Sequence, residues 1–171
     1  TERIAAERRQ RTAEAALVES EARFRLMIDT VPQIVWIADA EGRMEFLNRQ
    51  FSDYTGEGFA ARTPREMAGA FIHPDDGPQV VRAFQAARDA AGPHLFEHRI
   101  RAASGEYRWF LDRANPYRHP DTGEIERWFG VSVDIHDRKI AEDRLRELNA
   151  TLEQRVAERT AERNILATLI E

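Results

Sequence analysis

Polar and apolar residues change rhythm twice along this chain. Residues 1–29 and 137–171 are dense in Ala, Glu, Arg and Leu, and neither Gly nor Pro occurs in 1–31 or 131–171. That pattern predicts a long helix at each end. Between them, 34–47 reads as two β-rich runs, Ile-Val-Trp-Ile-Ala and Arg-Met-Glu-Phe-Leu, around Asp-Ala-Glu-Gly, which predicts a hairpin. Residues 48–91 change to helical pieces broken at Gly56, Pro64, Gly69 and His73-Pro74. Asp75 or Asp76 is placed to start the helix carrying Val80, Val81 and Phe84, and Gly92-Pro93 to stop it. Three strands follow, near 94–102, 107–117 and 125–135, with turns at Ala103-Ser104-Gly105 and His119-Pro120-Asp121-Thr122-Gly123. Two strands, short helices, then three strands predict an α+β fold on an antiparallel sheet. The expected division is a connecting helix over 1–29, a domain over 30–136 and a second helix over 137–171.

The turns suggest a register. If Tyr117 faces Ile125, the last hairpin pairs Trp109 with Val133, Leu111 with Val131 and Arg113 with Phe129, giving one apolar face. In the preceding strand Phe96, His98 and Ile100 alternate with polar residues and are expected to join that core, with His98 beside Leu111. A ligand pocket would then lie between the short helices and the face carrying His98, Trp109, Leu111, Phe129 and Val131. The same register sets Arg108 opposite Asp134 on the other face. An exposed ion pair there stabilises by well under ~1 kcal/mol; its interest is its place, where the domain meets the helix starting at Asp137.

From Asp137 to Arg163 a continuous helix would be about 40 Å long. Ala141, Leu145, Leu148 and Leu152 follow alternating steps of four and three, as in a heptad seam. Val156 then comes a residue late, which is a stutter that locally unwinds a supercoil. Arg159 and Arg163 interrupt the seam before Leu166 and Ile170 resume it. The expected dimer seam is therefore Leu145, Leu148, Leu152 and Val156. The N-terminal seam is weaker until Leu17.

Composition sharpens this division. Of the fifteen aromatic residues only Phe24 lies outside 30–136. Residues 1–29 carry six arginines and six acids, and 137–171 seven basic and eight acidic residues, so the net charge of −5 sits almost wholly in the centre. That charge, with a pI near 5.6, argues against nucleic acid as the main partner. With a mean hydropathy of −0.60 and no run of eighteen apolar residues, no membrane-spanning helix is expected. The absence of cysteine excludes disulfides and thiolate chemistry and fits a cytoplasmic setting.

Several stretches in order resemble a known family. Arg23-Phe24-Arg25 through Val31-Pro32, Trp36, Asp39 to Gly42, Asn48 and Tyr54-Thr55-Gly56 resemble the first half of a PAS domain. Ile72-His73-Pro74-Asp75-Asp76 resembles the start of its central helix. Ser104-Gly105-Glu106-Tyr107-Arg108-Trp109, Gly130 and Asp134-Ile135-His136 resemble its C-terminal strands and closing PAC-type motif. The resemblance covers about 20–137. It implies a five-stranded antiparallel sheet with helices on one face, and sensing or relay in multidomain signalling proteins, often as homodimers joined through flanking helices. The closing tripeptide usually ends in Thr; His136 stands there instead, so Asp137 is expected to cap the last helix.

Aligning Thr1 with His136 pairs Arg3, Ala6, Glu7, Arg9 and Arg11 with identical Arg138, Ala141, Glu142, Arg144 and Arg146. Beside the family resemblance, this echo implies an upstream module of the same kind, and 152–163 resembles connectors to further sensor modules or to the dimerisation helices of sensor histidine kinases.

Catalytic chemistry finds no motif: no phosphate loop, no nucleophile elbow and no His-Glu-x-x-His pair. His94 and His98 share a strand face but would stand about 13 Å apart, too far to chelate one ion. His73 precedes the central helix rather than lying within it, which counts against haem ligation. A light-oxygen-voltage flavin adduct needs a cysteine that is absent. No cofactor is predicted, with haem or a non-covalent small molecule left open. Two functions follow. One is a non-enzymatic relay and dimerisation module of a two-component sensor, passing conformational change to adjacent sensor or kinase domains. The alternative is a ligand-binding sensor whose pocket occupancy controls the same helices.

Overall fold

The computed structural model describes residues 2–169; Thr1 and Ile170, which figured in the terminal echo and the C-terminal seam, lie outside that range. The elements run α1 (Glu2–Thr30), β1 (Ile34–Asp39), β2 (Met44–Leu47), α2 (Arg49–Thr55), α3 (Pro64–Phe71), α4 (Gly77–Ala90), β3 (His94–Arg101), β4 (Tyr107–Arg118), β5 (Ile125–Asp134) and α5 (His136–Leu169). The strands form one five-stranded antiparallel sheet in the order β2-β1-β5-β4-β3. The fold is therefore the α+β sheet with short helices that the sequence predicted. The chain divides into two compact units, Thr1–Asp134 and Ile135–Glu171.

The β1–β2 turn is closed by Asp39, whose Oδ1 accepts from the backbone of Glu41 and Arg43 at 3.0 and 2.8 Å. Gly42 completes it at φ 91°, a conformation that strains any residue with a Cβ. Thr63 and Glu66 form a reciprocal capping box around Pro64 at the start of α3 (3.2 and 2.8 Å). Asp76 occupies the N-cap position of α4, yet its side chain does not cap the helix. Instead Arg99 donates to both its oxygens, at 2.9 and 2.7 Å, and the Arg99 backbone N–H adds a third bond at 3.0 Å. With the His73 N–H donating to the Arg99 carbonyl at 2.9 Å, these bonds cover the outer edge of β3, which would otherwise offer unpaired backbone groups. The Arg99 hydrogen bonds hold the Asp76 carboxyl below its ordinary range. The stabilisation this gives is in full force above the unfolded carboxylate pKa and is lost as pH falls through the depressed folded value. The left-handed stop of α4 is Ala91, at φ 49°, one residue ahead of the expected Gly92.

The register of β4 and β5 differs from expectation by two residues. Leu111 faces Val133, Arg113 faces Val131 and Asn115 faces Phe129. A bulge after Tyr117 shifts the pairing so that Arg118, not Tyr117, faces Ile125. A shift of two preserves the division of residues between faces, but the face chosen as the core was the wrong one. The helices cover the side bearing Ile34, Trp36, Phe110, Ala114 and Trp128, all buried, where Phe51, Phe71 and Phe84 complete the core. Trp109, Leu111, Phe129 and Val131 lie on the opposite face. Phe129 is 45% exposed, Trp109 is stacked beneath the Arg99 guanidinium at 5.0 Å, and Phe24 of α1 meets Phe46 on that side at 6.3 Å.

The second unit is the single helix α5, whose 34 residues span about 51 Å. It begins at His136 with Asp137 inside the first turn, so Asp137 is placed to favour the helix dipole rather than to stand ahead of the helix as its cap. Leu145, Leu148, Leu152 and Val156 are all exposed, and pairs such as Arg138–Glu142 (3.0 Å) run along the helix.

Candidate functional site

Between the covered sheet face and α2, α3 and α4 lies a cavity of about 80 Å³. Its wall is mainly apolar: Trp36 from the sheet, Met44 and Leu47 from β2, Phe51 from α2, Phe71 from α3 and Phe84 from α4 all reach it. Four polar residues interrupt that wall, namely His94, His98, Asp112 and Ser132.

Sheet register explains why these four meet. Asp112 lies directly across from Ser132 on β5 and from Phe96 on β3. His94 and His98 are the residues two before and two after Phe96, so they flank Asp112 diagonally. The rings of His94, Phe96 and His98 stack along β3 with centroids 6.4 Å apart. The His98 Nε2 stands 3.6 Å from Asp112 Oδ2. His98 is 1% exposed, and its Nδ1 has no hydrogen-bond partner; neither has Asp112 Oδ1. Arg62 Nη1 and Trp128 Nε1 share that state, but neither residue lines the cavity. Burial pushes the pKa of His94 down, partly opposed by the Asp112 charge and by a hydrogen bond to the Ala83 backbone.

Of the five residues the sequence assigned to a pocket, only His98 lines this one. Trp109, Leu111, Phe129 and Val131 face away from it, and the neighbour of His98 across the strand pair is Phe110 rather than Leu111. Asp112 and Ser132 were missed altogether, and His94 was weighed only as a metal ligand. The available signal was the parity of Trp36 with Gly130: a glycine inside a strand marks close approach of another group. Among the described residues no three His, Asp or Glu side chains are placed to hold a metal ion. His73 lies before α4, where its Nδ1 accepts from the Asp75 backbone at 3.2 Å and its ring meets Tyr107 at 4.7 Å. It does not line the cavity, and a space of about 80 Å³ does not fit a haem macrocycle.

At the far end of the covered face Arg108 Nε meets Asp134 Oδ2 at 2.8 Å. The residue directly across from Asp134 is Phe110, not Arg108, so the pair is diagonal and depends on the length of the arginine. Tyr54 connects this corner to the cavity wall. It sits on α2 close to Phe51, donates to the Ile100 carbonyl at 2.9 Å, and lies edge-on to Phe110 at 5.0 Å. Its pKa is pushed up to about 12, first by burial and then by the Asp134 charge.

A five-stranded antiparallel sheet with short helices and an interior cavity on one face defines a class of sensor domain. Residues 45–132 match the PAS fold family, and the chain belongs to it. It is 35% identical over 144 residues to the uncharacterized protein y4lL of Sinorhizobium fredii, covering 82% of this chain and 17% of that one. To the peroxide stress-activated histidine kinase mak1 of Schizosaccharomyces pombe it is 30% identical over 128 residues, 74% of this chain and 8% of that protein. The chain thus spans a small fraction of the length of these curated relatives. A sensory box histidine kinase/response regulator from Burkholderia thailandensis superposes with a TM-score of 0.58 at 28% identity, over 77% of this chain and 98% of that structure. The chain is accordingly a PAS sensor domain of the kind found in signalling proteins. Among the described residues, no helix is long and apolar enough to cross a membrane.

Proposed function

We propose that this chain is a ligand-gated sensor and relay module: occupancy of the interior cavity biases the strands that lead into α5, and α5 carries the bias to a partner domain of the same signalling protein. The observation behind this reading is the cavity wall, where two buried polar atoms, His98 Nδ1 and Asp112 Oδ1, have no partner. Such atoms are costly to bury unsatisfied, and a bound molecule would satisfy them. That favours the sensor over an unliganded relay, reversing the order the sequence suggested. The proposed route runs from the cavity through Phe51 and Tyr54 on α2 to the Arg108–Asp134 pair, two residues before α5 begins. Native mass spectrometry of the chain purified from its own cells tests this. A stoichiometric small-molecule adduct that is lost on denaturation is expected. If none is seen, even after incubation with a soluble cell extract, the unliganded relay stands instead.

The module is further proposed to act as a homodimer through α5, in a cytoplasmic two-component sensor. Support comes from the exposed, heptad-spaced Leu145, Leu148 and Leu152 and from the exposed Val156 beyond them, whose apolar surface would be buried by a second copy. The stutter at Val156 would give the seam a second packing at modest cost. Leu148→Asp combined with Leu152→Asp is expected to convert the sedimentation mass from dimer to monomer while leaving the sheet domain folded. An unchanged mass would remove α5 as the interface.

A further inference from the structure

The cavity's unpartnered atoms share one character. With Nε2 of His98 directed at Asp112 Oδ2, 3.6 Å away, the proton of a neutral imidazole belongs on Nε2, so Nδ1 is left as a lone-pair acceptor. Asp112 Oδ1 is an acceptor as well. Both therefore call for a donor, and neither can be satisfied by another acceptor. Charge points the same way. Among the described residues, Asp112 is the only Asp, Glu, Lys or Arg lining the cavity, and burial disfavours the protonated form of His94, so that ring supplies no ready counter-charge. A carboxylate this enclosed, with side-chain exposure of 14%, gains most from a cation that arrives with its own donors.

Size and surroundings narrow the class. A dry cavity near 150 Å³ accommodates a benzene ring, so about 80 Å³ suits a guest of roughly three heavy atoms on the same scale. The wall opposite the polar group is aliphatic and aromatic, with Met44, Phe51, Met67 and Phe71, and the two methionines can adjust to the shape of a guest.

We propose that the cavity binds a short-chain organic amine, whose N–H groups donate to Asp112 Oδ1 and His98 Nδ1 while its alkyl body fills the space against Met44, Phe51, Met67 and Phe71. This rests on the sensor reading above and names the chemistry of its ligand. A carboxylic acid would bring a second negative charge against Asp112. An alcohol carries one donor for two acceptors and no compensating charge.

The experiment is a titration of the 171-residue chain with ethylamine, ethanol and acetate, followed by calorimetry and by the chemical shifts of the His98 ring. The amine is expected to bind one per chain, at least tenfold more tightly than the alcohol or the acid, and to shift the His98 resonances. Asp112→Asn keeps the side-chain size and removes the charge, and is expected to weaken the amine at least tenfold. The comparison of the three probes on the unaltered chain stands even if that variant does not fold. If the alcohol or the acid binds as tightly as the amine, or if Asp112→Asn binds the amine undiminished, the ligand class is wrong while the sensor reading survives. If none of the probes binds and native mass spectrometry finds no adduct, the cavity holds only water and both readings fall.

Discussion

Replacing Gly130 with alanine is expected to remove a large share of the stability of the sheet domain. Gly130 lies in the middle of β5, paired on one side with Trp36 of β1 and on the other with Ala114 of β4. The Trp36 indole lies across it, and a Cβ built on Gly130 would overlap the Trp36 ring at three atoms. The indole has little room to yield: it is 6% exposed and packs edge-on against Phe84. Nor can the backbone move, because β5 is hydrogen-bonded to strands on both sides. Overpacking a well-filled core costs about 1–3 kcal/mol and occasionally more; the clash here is with a rigid ring, so roughly 3 kcal/mol or more is expected, against a typical total of about 5–15 kcal/mol. Urea unfolding followed by circular dichroism should show a much lower midpoint with an unchanged slope. In a Trp36→Val background the same substitution should cost little, because the overlapping group is gone. A Gly130→Ala chain within about 0.5 kcal/mol of the parent would show that the indole does not need the glycine.

The same pair explains why the sequence disclosed the fold more readily than the site. Element order, turns and the two terminal helices follow from Gly and Pro placement and from runs of one residue class, which are local signals. The choice of core face is not local. Both faces of β4 and β5 carry large apolar residues, Trp109 and Leu111 on one and Phe110 and Trp128 on the other, so alternation alone cannot say which one the helices cover. Counting apolar residues selected the open face, with Leu111, Phe129 and Val131. The covered face has smaller or polar members, Ala114, Gly130, Asp112 and Ser132, because close-packed helices, the Trp36 ring and the cavity occupy the space above them. Asp112 escaped notice because a charged residue in a strand is ordinarily assigned to solvent. Pro64 read alone signals a break, but Thr63 and Glu66 around it form a capping box legible in the sequence, so the same proline opens a helix. The local pattern offers Asp75 or Asp76 as the start of α4; the actual partner of Asp76, Arg99, lies 23 residues away, beyond the reach of any local pattern. Arg108 and Asp134 still meet despite the register error, since a long guanidinium spans the diagonal.

Asn48→Ala is the second substitution expected to be severe, and it acts through hydrogen bonds rather than volume. Asn48 is 1% exposed and all its side-chain bonds go to backbone. Its Nδ2 donates to the carbonyls of Ile28 and Gln33 at 3.1 and 2.9 Å, and its Oδ1 accepts from the Val35 N–H at 2.9 Å. Its own backbone N–H donates to the Val35 carbonyl at 3.0 Å. One side chain thereby joins the end of α1, the start of β1 and the loop between β2 and α2. Alanine would take the Asn48 partner from the Gln33 carbonyl and the Val35 N–H in a partly buried setting, and would leave the Ile28 carbonyl with the 3.3 Å bond from the Val31 N–H. At about 1–3 kcal/mol for each unsatisfied group, a net loss of roughly 3 kcal/mol is expected. Asn48→Asp separates hydrogen bonding from packing, because it keeps the shape and the acceptor but sets a carboxylate against two carbonyls. It should be at least as damaging near neutral pH and milder in weak acid, where protonation restores one donor. Thermal unfolding at both pH values checks this. Equal losses for Asn48→Asp at the two pH values would mean that the site is open to water and that Asn48 does not tie α1 to the sheet.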